Sequence, residues 1–359
     1  MKKSLTRRNF IAGGIVAAAA TAVAVGALRT PRKNVGAGSS RPQEYNGLET
    51  FGRGNPAPTR ARRYIALEKS GELAQREEKL FELMSPCKLC PRDCGARRTD
   101  GRMAACRTAD RFRVASFGPH HGEEAPLRGR HGSGTIFFSM CNLLCVFCLN
   151  YQINHKGEGR YTTHRELADM MLNLQARGCH NINFVTPTHV LPHIVKALRL
   201  AINDGLDLPI VYNTSGYEHP EIIKLLDGIV DIYLPDFKFQ DSEVAGRLSP
   251  RAHNYPEKAA ASIKEMHRQV GTLRMDANGI ATSGVLIRHL VMPENLGGTD
   301  KFVKWVAENL GTDTHVNIMG QYRPMFRARY YPPLNRSLTQ QEFAQAMEWA
   351  YRAGLHNLH

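Results

Sequence analysis

The chain has 359 residues, 42% hydrophobic and 22% charged, which is enough to bury a substantial core and excludes a fibrous or wholly disordered chain. Its formal charge is +14, and only Lys2, Lys3, Arg7 and Arg8 of its cations fall in the first eight residues, so the body is basic in its own right. Those lysines and arginines are scattered among acids rather than blocked with aromatics, which argues for a solvated surface and against a specific nucleic-acid site.

The opening segment, MKKSLTRRNFIAGGIVAAAATAVAVGALRTP, sets Arg7-Arg8 in a Thr-Arg-Arg-Asn-Phe context ahead of an uncharged, small-residue run over 11–28. Residues 1–28 resemble a twin-arginine export signal, which implies delivery of an already folded, cofactor-loaded protein to the periplasm. A short membrane anchor with basic flanks is the other reading, the run being at the lower limit for spanning a bilayer, and a cytoplasmic protein is the alternative location. Ala22-Val23-Ala24 and Val25-Gly26-Ala27 are candidate cleavage sites. No other segment reads as membrane-spanning, so membrane contact is expected only through this segment if it stays uncleaved. Residues 29–59, rich in Gly, Ser, Pro and Arg, hold too few apolar side chains to offset ordering entropy and read as a flexible linker.

Helical spacing over 60–84 (Tyr64, Ile65, Leu67, Leu73, Leu80, Phe81, Leu83) leads into a cysteine-rich segment, so residues 60–128 are expected to form a small N-terminal subdomain. Over 129–359 short β-branched or aromatic runs alternate with longer amphipathic stretches. Strands are predicted at 135–139, 181–185, 208–213, 230–234, 284–290 and 315–319. Helices are predicted at 189–203, 218–227, 257–270 and 300–309, and two more open with capping boxes, Thr163-x-x-Glu166 and Thr339-x-x-Glu342. Six β-then-α units predict an α/β fold, a partial TIM-like barrel with a parallel sheet, whose chemistry gathers at the C-terminal ends of the strands.

Seven of the eight cysteines form two tight groups, Cys87, Cys90, Cys94 and Cys106, then Cys141, Cys145 and Cys148. Such grouping favours metal ligation over the disulfide framework that export would otherwise suggest. Three thiolates spaced Cys-x3-Cys-x2-Cys can hold three irons of a 4Fe-4S cubane and leave the fourth open to a substrate or cofactor. The first group suits either a structural zinc ion or a second iron–sulfur cluster. Cys179 stands alone and reads as a small buried residue.

Cys-x3-Cys-x-Phe-Cys immediately after the first predicted strand resembles the signature of the radical S-adenosylmethionine (SAM) superfamily. More narrowly, LCPRDC, GSGTIFF, NINFVTPTH, YNTSGYE, DIYLPDFKF and IRHLVMPEN resemble uncharacterised relatives of pyruvate formate-lyase activating enzyme. The resemblance implies a partial (β/α)6 barrel of radical SAM type, a 4Fe-4S cluster and SAM as cofactors, and reductive cleavage to a 5′-deoxyadenosyl radical that abstracts hydrogen from a protein or peptide. It also implies an electron donor such as a flavodoxin or ferredoxin. Two departures stand out: Val185-Thr186-Pro187-Thr188-His189 replaces the usual glycine-rich turn, and Leu149 stands where relatives carry glutamine.

By the same resemblance the cofactor would be held by Thr186 and Thr188 in place of that turn, by Asn213 and Ser215 after the third predicted strand, and by Asp236 and Lys238 after the fourth. Arg288 on the fifth needs an anionic partner, either the cofactor's carboxylate or the substrate. Each has a plainer reading: Thr188 as a helix cap, Asn213-Thr214-Ser215-Gly216 as an ordinary turn, and Asp236–Lys238 as a structural ion pair. Met319-Gly320-Gln321-Tyr322 is a further stretch that could approach the adenine or substrate. His120, His121, Glu123 and Glu124 form a His/Glu cluster that could bind metal or exchange protons, with a solvated loop next to the barrel mouth as the more frequent explanation. Because SAM is a cytoplasmic metabolite, export keeps open a second class of function, an electron-transfer or binding protein on this scaffold without turnover; a zinc-stabilised binding module is a third.

Overall fold

Residues 62–359 are described by the computed structural model and belong to one compact unit; the leader (1–28) and the linker (29–59) lie outside the described residues. The described residues hold nine strands: β1 (Arg113–His120), β2 (Ser133–Phe138), β3 (Arg160–Tyr161), β4 (Ile182–Val185), β5 (Ile210–Thr214), β6 (Ile232–Pro235), β7 (Arg274–Met275), β8 (Ala281–Leu290) and β9 (His315–Met319). Strands β2, β4, β5, β6, β8 and β9 pair in parallel in that order and coincide with the six predicted ones. Every residue of β5 and β6 is buried, as the continuous apolar runs of a parallel sheet covered on both faces require.

The sheet curves without closing. Asn183 on β4 and Asn317 on β9, well apart in the strand order, reach the adjacent carboxylates of Glu123 and Glu124. Beyond β2 the barrel is flanked by antiparallel β1, which carries β3 on its outer edge. β1 escapes a period-2 reading because its register slips between Val114 and Ser116 and Gly118-Pro119 interrupts it. Pro119 is tolerated there because β3 pairs only with Arg113 and Val114, leaving that part of the outer edge without a ladder.

Helices cover the outside. The 60–84 periodicity divides into Arg63–Lys69 and Glu72–Glu82, broken at Gly71, whose φ of 77° suits glycine. Both helices dock on Leu191–Asn203: Arg199 bridges Glu68 and Glu77 at 2.8 and 2.7 Å, and the buried Tyr64 hydroxyl donates to Leu208 O at 2.8 Å. The helix predicted over 218–227 shortens to Pro220–Lys224. No helix among the described residues is long and apolar enough to cross a membrane.

Both capping boxes are present. Thr163 and Thr339 accept from the backbone N–H of Glu166 and Glu342, whose carboxylates reach back to the threonine N–H. Glu342 also accepts from both terminal nitrogens of Arg336, at 2.8 and 2.7 Å. Thr339→Ala should therefore lower the unfolding free energy by about 1 kcal/mol, read as a shift of the denaturant midpoint at unchanged slope.

Candidate active site

β2 ends at Phe138, and the chain turns through Met140 and Leu144, both at positive φ (74° and 61°), to wrap Cys141, Cys145 and Cys148 over the C-terminal end of the sheet. Cys141 Sγ accepts the N–H of Leu143 at 3.3 Å, Cys145 Sγ the hydroxyl of Ser249 at 3.2 Å, and Cys148 Sγ the amide of Asn154 at 3.4 Å. Donors of this kind stabilise thiolate and tune a bound cluster. Burial pushes the thiols up, Cys145 to about 12 and Cys148 to about 11, while Lys238 pulls the other way on each.

Arg92, from the first cysteine group, fixes this loop from behind. Its guanidinium donates to the carbonyls of Asn142, Leu143 and Pro250, the last two at 2.8 Å each. Asn142 donates in turn to Tyr217 O at 2.8 Å. Phe147 packs edge-on against Phe239 and Tyr322, at 5.9 and 6.2 Å between centroids. The LCPRDC motif was the only sequence signal for Arg92; its contacts lie 50 and more residues away.

The three cysteines border one cavity of about 250 Å³, together with Thr186, Asn213, Ser215, Asp236, Lys238, Arg288, Met319, Gln321 and Tyr322. Asp236 and Lys238 flank Phe237, which points into the core, and their side chains meet across the floor at 2.5 Å. Tyr255 fixes the turn, donating to Ser215 O at 2.8 Å and accepting the N–H of Lys238 at 2.9 Å. Gly216, at φ 76°, lies so close to Asp236 O that a Cβ would meet it at 2.3 Å. Only glycine allows β5's turn to lie against β6.

Behind the floor, Arg288 is enclosed by anions. Nε donates to Asp236 Oδ1 at 2.9 Å, Nη1 to Glu123 Oε1 at 3.3 Å, and Nη2 to Asn213 Oδ1 at 2.6 Å, with Glu124 3.9 Å away. Glu123 and Glu124 are thus buried inside the barrel, which corrects the solvated-loop expectation: a buried arginine needs counter-charge, and this loop supplies it. Burial, reinforced by Glu124, raises Glu123, whereas Arg288 and the hydrogen bond from Glu123 hold Glu124 below the usual range. Asp236 stays low despite burial because Arg288 and Lys238 both face it. Burial opposes the charge on Lys238, but Asp236 and then Cys145 carry it above the ordinary lysine value.

The expected cofactor ligands therefore separate. Thr186, at φ 60°, and Ser215 face the cavity, and Ser215 Oγ is buried with no partner in the protein. Asn213 and Arg288 border it but are engaged with each other and with Glu123. Thr188 is not a lining residue: it is buried, and its hydroxyl donates to Glu218 at 2.5 Å. Leu149 is 65% exposed at the mouth.

The donor set fits an iron–sulfur cluster with a small zwitterion beside it. Among the described residues no three His, Cys, Asp or Glu side chains close on a single ion, whereas a cubane takes one thiolate per iron. Lys238 and Asp236 offer one charge of each sign, and Ser215 Oγ awaits a polar partner.

Glu218, behind Thr214 and Thr188, takes three hydroxyls on one oxygen, and burial lifts its carboxyl from 4.5 to about 7. Between those values the folded chain keeps a proton that the unfolded chain has released, so stability falls as pH rises from 4.5 to about 7. Relative to Glu218→Gln, wild-type stability measured by denaturation should decline across that window with a limiting slope of about 1.4 kcal/mol per pH unit. A pH-independent difference would contradict it.

Residues 135–306 match the family model described as the Radical SAM superfamily. An uncharacterized protein of Methanocaldococcus jannaschii is 34% identical over 279 residues, covering 75% of each chain. Among solved structures, a radical SAM methyltransferase from Sphaerobacter thermophilus is similar at 15% identity and a TM-score of 0.42, over 63% of this chain and 66% of that one. Methylornithine synthase is similar at 13% identity and a TM-score of 0.39, over 62% and 70%. The matched segment runs from β2 to the helix Thr299–Asn309 and so contains the three-cysteine loop and the Asp236–Lys238 pair; the chain belongs to the radical SAM superfamily.

Proposed function

We propose that the chain is an activating-enzyme-like radical SAM enzyme that cleaves SAM reductively and abstracts hydrogen from a protein or peptide. The observation that carries this reading is one cavity bordered by both the three thiols and the Asp236–Lys238 pair. Cys141, Cys145 and Cys148 would hold the cluster, and Lys238, Asp236 and Ser215 would take the carboxylate, amino and remaining polar groups of the methionyl end. When bound, cluster and cofactor together supply one-electron cleavage to methionine and a 5′-deoxyadenosyl radical.

The chain's own residues orient and enclose. Arg288 holds Asp236 in place through a 2.9 Å hydrogen bond, Tyr255 fixes the backbone of Lys238, and Phe147 and Tyr322 form an apolar wall that limits water at the cluster loop. Exposed Leu149 lies at the mouth with Arg323, and beside it Tyr151 stacks on Phe326 at 5.3 Å near exposed Arg327, Arg329 and Tyr330. An apolar and basic rim of this kind suits a protein substrate and an acidic electron donor such as a flavodoxin or ferredoxin. The Arg7-Arg8 leader supports export in the folded, cluster-loaded state.

Reconstituted, dithionite-reduced protein is expected to release 5′-deoxyadenosine from SAM. Cys148→Ala should abolish release, and Lys238→Met should raise the half-saturating SAM concentration by about tenfold or more, as expected for loss of a buried charged contact. Absence of 5′-deoxyadenosine from an intact-cluster preparation would reject the enzyme reading in favour of an iron–sulfur protein without turnover.

A further inference from the structure

Arg98 is 0% exposed. Its Nε and Nη2 donate to a single carbonyl, Ala109 O, at 3.1 and 3.0 Å, and Nη1 faces Cys87 Sγ at 4.0 Å. No carboxylate among the described residues pairs with it, and the side chains it faces across the core include His189 and His193, whose rings burial keeps neutral. A guanidinium remains charged at any accessible pH, and leaving it buried without an anion is strongly unfavourable. Arg288, by contrast, is met by Asp236, Glu123 and Glu124. Around Arg98 the anion-forming groups are sulfurs.

Burial alone pushes the Cys87, Cys90 and Cys106 thiols up, so they become anionic only by binding a metal. Cys87, Cys90 and Cys106 are buried and Cys94 is exposed. The backbone N–H groups of Leu89, Arg92 and Thr108, each two positions further on, lie on the side of Cys87, Cys90 and Cys106 respectively. The same spacing recurs in the cluster loop, from Leu143 to Cys141 and from Asn150 to Cys148. Amide donors near sulfur favour thiolate once a metal is bound. The loop is closed on itself by Cys87 N–H to Ala96 O at 2.9 Å and Gly95 N–H to Cys87 O at 3.2 Å.

We infer that Cys87, Cys90, Cys94 and Cys106 hold a second iron–sulfur cluster, one thiolate per iron, and that Arg98 is its buried counter-ion. On cluster binding the four thiols release their protons, and the resulting centre carries net negative charge that Arg98 partly offsets. Arg98 acts through the sulfurs and is a positioning residue. Because Arg92 lies between Cys90 and Cys94, the same centre would brace the loop that carries Cys141.

Full-length protein isolated without oxygen would be assayed for iron, sulfide and zinc as wild type, as Cys141→Ala/Cys145→Ala/Cys148→Ala, and as Cys87→Ser/Cys106→Ser. The triple variant should retain iron with sulfide, and the double variant should lose that portion. A triple variant free of iron and sulfide, with or without zinc, overturns the assignment, and this arm decides even if the double variant does not fold. In the triple background, Arg98→Met should weaken retention against a chelator by about tenfold or more, with Arg98→Lys recovering most of it. Equal retention in Arg98→Met and its parent overturns the counter-ion role. Neither readout depends on whether SAM is cleaved.

Discussion

The interior of this barrel is organised around a positive charge that cannot be moved. Arg288 projects from β8 into a space where a lone guanidinium would be untenable, and the surrounding strands meet that demand with Asp236, Asn213, Glu123 and Glu124. Burial and Glu124 raise Glu123, while Asp236 and Glu124 are held low, so these two are the carboxylates that chiefly answer the cations Arg288 and Lys238. Removing one member of such a set costs about 3–5 kcal/mol because its partner is left uncompensated. That constraint fixes Asp236 and Lys238 on the cavity floor, opposite the cysteine loop.

A second consequence is curvature. The carboxylates that answer Arg288 come from the loop after β1 and are also held by Asn183 on β4 and Asn317 on β9. A flat sheet would keep those asparagines apart. The polar plug therefore closes the bottom of the cavity while the cysteine loop covers its top, and the chemistry is confined to the C-terminal ends of the parallel strands.

Much of this was legible in the sequence. The six parallel strands were readable because each is a short apolar run between helical segments, and both capping boxes were readable because the pattern is local. The cysteine triad carried its own spacing, and the superfamily follows from it. β1 was not readable, its alternation being lost to a register slip and to Gly118-Pro119. The roles of Glu123 and Glu124 were hidden for a different reason: Glu123 is 165 residues from Arg288, and nothing local marks an acidic pair as buried. Thr188 shows the converse, a residue at the right position in the chain whose hydroxyl is engaged by Glu218, a carboxylate that only the folded structure brings beneath it.

The two cysteine groups also read differently once folded. Far apart in sequence, they share Arg92, whose guanidinium holds carbonyls beside Cys141 while its neighbours Cys90 and Cys94 belong to the first group. The N-terminal segment is thus part of the scaffold of the active-site loop. The central claim is that Cys141, Cys145 and Cys148 hold a cluster with an iron open to SAM, and electron paramagnetic resonance of the reduced protein with and without SAM tests it most directly. The account predicts that SAM changes the signal of this cluster in wild type and not in Lys238→Met at the same concentration; identical wild-type spectra with and without SAM would contradict it.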